Sequence, residues 1–208
     1  MYLPRYFRED RIEVLHALMR DFPLATIVTN AHGRLEGNHI PVYLVPDKGK
    51  HGVLRAHINR NNHMVVDHDP ACEALVIFQG PASYVTPTWS PTTAETGKVV
   101  PTWNYATVHA HGHLRTVENP KWLREQVATL TRQLEERRTA PWGVERAPVS
   151  FLQGQLKGII GLEVRITSIE GKWKVSQNRP QADREGISRG LAEEGEFAMA
   201  ALVTRGNG

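Results

Sequence analysis

The sequence contains one cysteine, Cys72, in 208 residues. One thiol builds neither an intrachain disulfide framework nor a Cys-rich zinc site, and a reducing cytosol suits such a chain. Cys72 lies in Pro70-Ala71-Cys72-Glu73-Ala74-Leu75, just ahead of an apolar run, and reads as a half-buried thiol rather than a nucleophile. Long apolar stretches are missing too: none approaches the roughly 20 residues a membrane helix needs. The opening residues hold no apolar h-region, so no signal peptide is expected. Charge of one sign is scarce, with 25 Lys+Arg against 22 Asp+Glu and a net of +3. That excess does not imply nucleic acid by itself. The densest basic cluster, Arg132 to Arg138, is interleaved with Glu135 and Glu136 and reads as a solvated helix face. Gly-x-Ser-x-Gly is absent, as are a paired-carboxylate motif, the glycine fingerprint of a dinucleotide fold, internal repeats and low-complexity segments.

What is present is globular: 40% hydrophobic and 23% charged residues. A chain of this length forms a single domain that buries roughly 70% of its unfolded surface. Ile12, Leu15, Leu18 and Met19 predict a helix over 9–20, ended by Phe22-Pro23. Leu24 to Thr29 and Leu35 to Val45 predict a hairpin around Asn30-Ala31-His32-Gly33. A second turn at 47–52 leads to a strand from Val53 to Ile58, and residues 59–73 read as irregular. Strands follow over 74–78, continuing to Val85, and over 99–117, the latter bent at Gly112. The segment 86–97 between them reads as a proline- and threonine-rich loop. Asn119-Pro120 opens a helix carrying Leu123, Val127, Leu130 and Leu134, stopped by Thr139-Ala140-Pro141. Strands over 158–169 and 173–176 flank a tight turn at Gly171. A helical segment over about 180–203 is expected to be broken at Gly186, Gly190 and Gly195, with a frayed tail over 204–208. Six or seven strands with hairpin spacing and few helices predict a mainly β, α+β fold: an antiparallel barrel with flanking helices.

Three constellations could carry chemistry. His109-Ala110-His111-Gly112-His113 sets three imidazoles on one strand face. Such a face could ligate zinc, copper or haem iron, or form a polar strand face at a barrel mouth or subunit interface. His39 and His57 lie among apolar neighbours on adjacent predicted strands and could share a site or serve separately as structural residues. Arg60-Asn61-Asn62, with Lys98 and the hydroxyls of Ser83, Thr86, Thr88 and Thr102, offers the cations and donors a phosphate requires. Trp89 and Pro101-Thr102-Trp103-Asn104-Tyr105 offer an aromatic wall with polar neighbours, suited to a flat cofactor or to a core.

Several runs together resemble one family. They are Met1-Tyr2-Leu3-Pro4, Phe22-Pro23-Leu24-Ala25-Thr26, Asn38-His39-Ile40-Pro41, residues 74–81, residues 97–105, Val108-His109-Ala110-His111-Gly112, Gly171-Lys172 and Ser176-Gln177-Asn178. The chain resembles PaiB-type proteins, described as FMN-binding negative transcriptional regulators, over nearly its whole length. The resemblance implies an FMN-binding split barrel spanning 1–208 as a single domain, related to pyridoxamine phosphate oxidases, that works as a cytoplasmic homodimer with FMN at the subunit interface. It implies that His39, His57, Arg60, Asn61, Lys98, Thr102, Trp103 and Asn104 contact the cofactor, with Arg60 and Lys98 on its phosphate and Trp103 and Asn104 near its ring. The chain departs from the family pattern at Asn62-His63-Met64 and Trp89-Ser90. The function so implied is regulation or flavin-linked sensing. The alternatives are a flavin-dependent oxidoreductase and a haem or metal protein using the histidine face. DNA is a further candidate partner, although no helix-turn-helix pattern and no basic recognition helix are present.

Overall fold

The protein was analysed as a computed structural model that describes residues 1–206. In chain order the elements are β1 (Arg8–Glu9), α1 (Ile12–Asp21), β2 (Leu24–Ala31), β3 (Arg34–Val45), β4 (Val53–Asn59), α2 (Met64–Asp67), β5 (Ala74–Val85), α3 (Pro91–Thr96), β6 (Thr102–Val117), α4 (Pro120–Glu135), α5 (Val149–Lys157), β7 (Ile159–Lys174), α6 (Gln181–Glu193) and α7 (Phe197–Arg205). The strands pair in the order β1-β7-β4-β3-β2-β5-β6, and β6 also pairs with β7. Six strands thus close on one another, and β1 joins the β7 edge. The pairs β1–β7, β2–β3, β2–β5, β3–β4 and β4–β7 are antiparallel. This is the antiparallel α+β barrel that the sequence predicts.

The chain forms two compact units. The central unit holds Phe22–Phe78 and Ala110–Ile169; the terminal unit holds Met1–Asp21, Gln79–His109 and the chain from Glu170 onward.

In the central unit, β2 and β3 meet in register from Leu24↔Pro41 to Ala31↔Arg34. Their turn has both central residues at positive φ, His32 at 52° and Gly33 at 82°. That matches the twist of the flanking strands. Asn30 Oδ1 accepts the Gly33 amide at 2.8 Å. Inward positions of β2, β4, β6 and β7, such as Ile27, Leu54, Ala110 and Leu162, are fully or almost fully buried. Helix α4 starts where Asn119 Oδ1 accepts the Lys121 and Trp122 amides, each at 3.0 Å. It packs inward through Leu123, Gln126 and Leu130, while Leu134 of the predicted stripe is exposed.

In the terminal unit, α1 buries Leu15, Leu18 and Met19. Its predicted start at Glu9 is three residues early: Glu9 belongs to β1, pairs with Gly171 and is buried. The Glu9 carboxylate accepts from Arg11 at the backbone (2.9 Å), at Nε (2.9 Å) and at Nη2 (2.6 Å), which ends the strand and launches the helix. Gly171 does not turn the chain. It sits inside a continuous β7, where a Cβ would strike Leu15 Cδ2 and the Glu9 carbonyl. Gly186 and Gly190 do not break α6 either. They clear a groove in which Trp89 lies, its ring against Gly190 and its carbonyl against Gly186. Gly195, at φ +83°, does separate α6 from α7. Helix α7 then runs through Thr204 and Arg205, where a frayed tail is predicted; residues 207–208 of that tail lie outside the described residues.

Two short helices emerge from segments predicted as irregular, and a third from a stretch to which the sequence assigns no element. Helix α2 lies within 59–73, and α3 lies in the proline-threonine segment. Helix α5 has no buried residue, with Val149 and Phe151 exposed, so it carries no apolar stripe to read.

Candidate functional site

The terminal unit gathers Thr102, Trp103 and Asn104 at the start of β6. Strand alternation turns Asn104 inward, 1% exposed, and Trp103 outward, 57% exposed. Trp103 meets Tyr84 of β5 edge-to-face at 6.1 Å between centroids. Buried Asn104 is satisfied by Ser176: its Nδ2 donates to Ser176 Oγ at 2.9 Å, and that hydroxyl lies 3.2 Å from Asn104 Oδ1. Ser176 has φ +63°, a left-handed conformation uncommon for a residue with a Cβ. Lys174, at the end of β7, donates its ammonium to Thr102 Oγ1 at 2.5 Å and to the Trp103 carbonyl. Burial lowers the Lys174 pKa, and the charges of Lys172 and Arg179 lower it further. Lys172 is buried over the Tyr105 ring at 5.4 Å and donates to the Tyr2 carbonyl at 3.0 Å. Thr102, Asn104, Lys174, Ser176, Asn178 and Arg179 line a cavity of about 90 Å³. Lys98 is exposed, just beyond Gly97, the left-handed residue that closes α3.

The central unit holds the other predicted residues, each bound to a protein partner. His39 is exposed, its Nδ1 3.0 Å from Thr26 Oγ1 across the β2–β3 pair. His57 is half-buried, with Nδ1 2.8 Å from Gln126 Oε1. Burial pushes the His57 imidazole below its ordinary pKa, against the opposing pull of that hydrogen bond. The two histidines do not share a partner. Arg60 spends its guanidinium on Glu118 (2.9 Å) and on the Lys157 and Ile159 carbonyls (both 3.3 Å). Asn61 is exposed, in a turn where its amide donates to Asn59 Oδ1 at 2.9 Å. Arg55 and Arg115 both hold Glu163: Arg55 Nε at 3.0 Å, Arg115 Nε at 3.0 Å and Nη2 at 2.5 Å. Burial pushes the Glu163 carboxyl up, and these two cations outweigh that, leaving it below its usual range.

On β6 the residues between the three histidines, Ala110 and Gly112, are buried, so His111 and His113 face away from the core. Among the described residues no three His, Cys, Asp or Glu side chains are placed to hold a metal ion. Cys72 is exposed, not half-buried. Its thiol donates to Asp69 Oδ2 at 3.3 Å, and that contact pushes its pKa up, away from reactivity. Trp89, placed by sequence with the cofactor aromatics, is held by the α6 glycines.

Sequence reasoning passed over Gln126, Lys174 and Arg179. The available signal was the run Lys172 to Arg179, which packs three cations, a serine and two amides into one strand end.

Residues 1–168 match the family model described as "Putative FMN-binding domain". The chain is 34% identical to an uncharacterized protein of Emericella nidulans, over 98% of this chain and 95% of that one. It is 28% identical to the protease synthase and sporulation protein PAI 2 of Bacillus subtilis, over 93% of this chain and 90% of that one. In fold it is similar to the FAD- and heme-binding protein of Mycobacterium smegmatis, with a TM-score of 0.59, 18% identity, and coverage of 80% of this chain and 73% of that one. FMN needs a flat apolar face for its ring and cations for its phosphate. The exposed Trp103 and the Lys174–Arg179 cavity supply both kinds of group within the terminal unit. The chain is a split-barrel member of the FMN-binding domain family, with FMN as its cofactor.

Proposed function

We propose that this protein is a flavin-linked regulator or sensor: a homodimer that holds FMN with its ring against Trp103. The supporting observation is the outward-facing pair of Trp103, 57% exposed, and Tyr84, 47% exposed, which leaves aromatic surface open on the face of β6 opposite buried Asn104. Indole in water is a large apolar surface left uncovered, and a flavin ring or a second copy of the chain would cover it. Thr102 and Asn104, on the other face of β6 and bonded to Lys174 and Ser176, would brace the strand behind the ring, and exposed Lys98 is available as a cation. His39, His57, Arg60 and Asn61 lie in the central unit, the first three with side-chain partners there and Asn61 held through its backbone amide, and the ring site is not built on them. The redox chemistry would be that of FMN; the protein's part is to bind and orient it. The regulatory role draws support from the name of the Bacillus relative, a sporulation protein. Among the described residues no helix is long and apolar enough to cross a membrane.

The test is a titration of the purified protein with FMN, followed by flavin emission and light scattering. The reading expects saturable quenching at one FMN per chain and a mass near twice 23.4 kDa. It expects Trp103→Ala to weaken binding about tenfold, the scale of a lost aromatic stack. Absence of saturable FMN binding would overturn the site. Steady turnover of a reduced nicotinamide or a pyridoxamine substrate would replace the regulator with an oxidoreductase.

A further inference from the structure

The cavity between the end of β7 and the start of β6 carries two cations and no acid. Of the residues that line it, Lys174 and Arg179 are basic, Thr102, Asn104, Ser176 and Asn178 are neutral donors, and Phe7 closes one side. Arg179 is half-buried, and no side-chain hydrogen bond or ion pair holds its guanidinium among the described residues. A half-buried charge without a partner invites an anion, and Arg offers a planar fork that fits an oxyanion in two bonds. Lys172 adds a third positive charge close by, and the mutual repulsion is visible in its effect on Lys174. The volume, about 90 Å³, equals roughly three waters and suits a tetrahedral oxyanion, not a flavin ring. Ser176 holds its hydroxyl there at φ +63°, a conformation that costs energy and persists where the surroundings require it. Both of its cations lie beyond residue 168, where the family model's match ends, while Phe7, Thr102 and Asn104 lie within it.

We infer that this cavity is a phosphate site, in which Arg179 and Lys174 bind a phosphate dianion and Thr102, Ser176 and Asn178 complete its hydrogen bonds. The phosphate comes either from FMN itself or from a separate phosphorylated ligand. Only the first source rests on the ring site proposed above.

Calorimetric titration of the full chain with inorganic phosphate, in a chloride buffer of low ionic strength, tests the inference. Arg179→Gln is the main variant, because it removes a side chain that holds no other element. Lys174→Met is the second, because Lys174 also ties β7 to Thr102. The expected result is saturable phosphate binding, weakened at least tenfold in Arg179→Gln, with the variant's thermal unfolding unchanged. If FMN binds more tightly than riboflavin, phosphate competes with FMN alone, and Arg179→Gln erases the difference, the source is the flavin phosphate. If phosphate binds and needs Arg179 while FMN either does not compete or does not bind, the site stands and its ligand is a separate phosphate. If neither phosphate nor FMN responds to Arg179→Gln, the inference is overturned.

Discussion

The arginines of the central unit's ion pairs and the cavity cations of the terminal unit, where Arg8 and Arg11 are also paired with acids, are spent differently. In the central unit Arg55, Arg60 and Arg115 all end on carboxylates, and Glu163 serves two of them. In the terminal unit Lys174 and Arg179 have hydroxyl, carbonyl or open space before them and no carboxylate. An arginine with an acid in its fork is already neutralised, and a phosphate could bind only by displacing that acid. A cation in a small polar cavity without an acid has its field available. Residue type alone therefore does not mark the binding cation, because Arg60 and Arg179 look alike in the sequence. The partners separate them: one set ends on carboxylates, and the other has no carboxylate before it.

The sharpest way to break this comparison is to remove one cation from each class. Arg55→Ala leaves Glu163 half-paired in a nearly buried site and strips the cover from Trp122, over which Arg55 lies at 5.2 Å. A loss of about 3 kcal/mol is expected in chemical denaturation. A loss under about 0.5 kcal/mol would show that Arg115 alone satisfies Glu163. Next in size is Gly190→Ala, which drives a Cβ into the Trp89 ring. Overpacking costs about 1–3 kcal/mol, against a helix-propensity gain of about 1 kcal/mol, so net destabilisation is expected. A rise in melting temperature would show that the Trp89 seat is loose.

The third test is pH. The folded pKa of His57 lies below its ordinary value of 6.5. The unfolded chain therefore takes up that proton first, so the contribution of neutral His57 is complete above about pH 6.5 and is lost as pH falls toward the lower folded value. Wild type is expected to lose more melting temperature between pH 7 and pH 5 than His57→Gln does; equal slopes would remove His57 from the account. The smallest effect is expected from Arg60→Ala. Its pair with Glu118 is exposed, and such pairs contribute under about 1 kcal/mol.

Much of the barrel is legible in the sequence because its signals are local. Asn30, His32 and Gly33 specify their own turn, and Asn119-Pro120 caps its own helix. The sequence leaves Trp103 open between core and cofactor, and only the fold turns Asn104 inside and Trp103 outside. Other features escape local reading because their meaning comes from residues far along the chain. Gly171 reads as a turn until Leu15 is seen packed on it, and Gly186 and Gly190 read as breaks until Trp89 fills the groove. Helix α5 shows no stripe because it buries nothing. For the proposed site, Thr102, Trp103 and Asn104 stand out in their motif. Lys174 and Arg179 cannot, because lacking an acid partner is a property of the folded chain.

The central claim is that cations without acid partners, not those inside ion pairs, take the ligand's phosphate. The most direct measurement is the ratio of FMN to riboflavin affinity, by flavin fluorescence, in wild type, Arg179→Gln and Arg60→Ala. The account predicts a ratio well above ten in wild type and in Arg60→Ala, collapsing toward one in Arg179→Gln. A ratio that collapses in Arg60→Ala and survives in Arg179→Gln would contradict it.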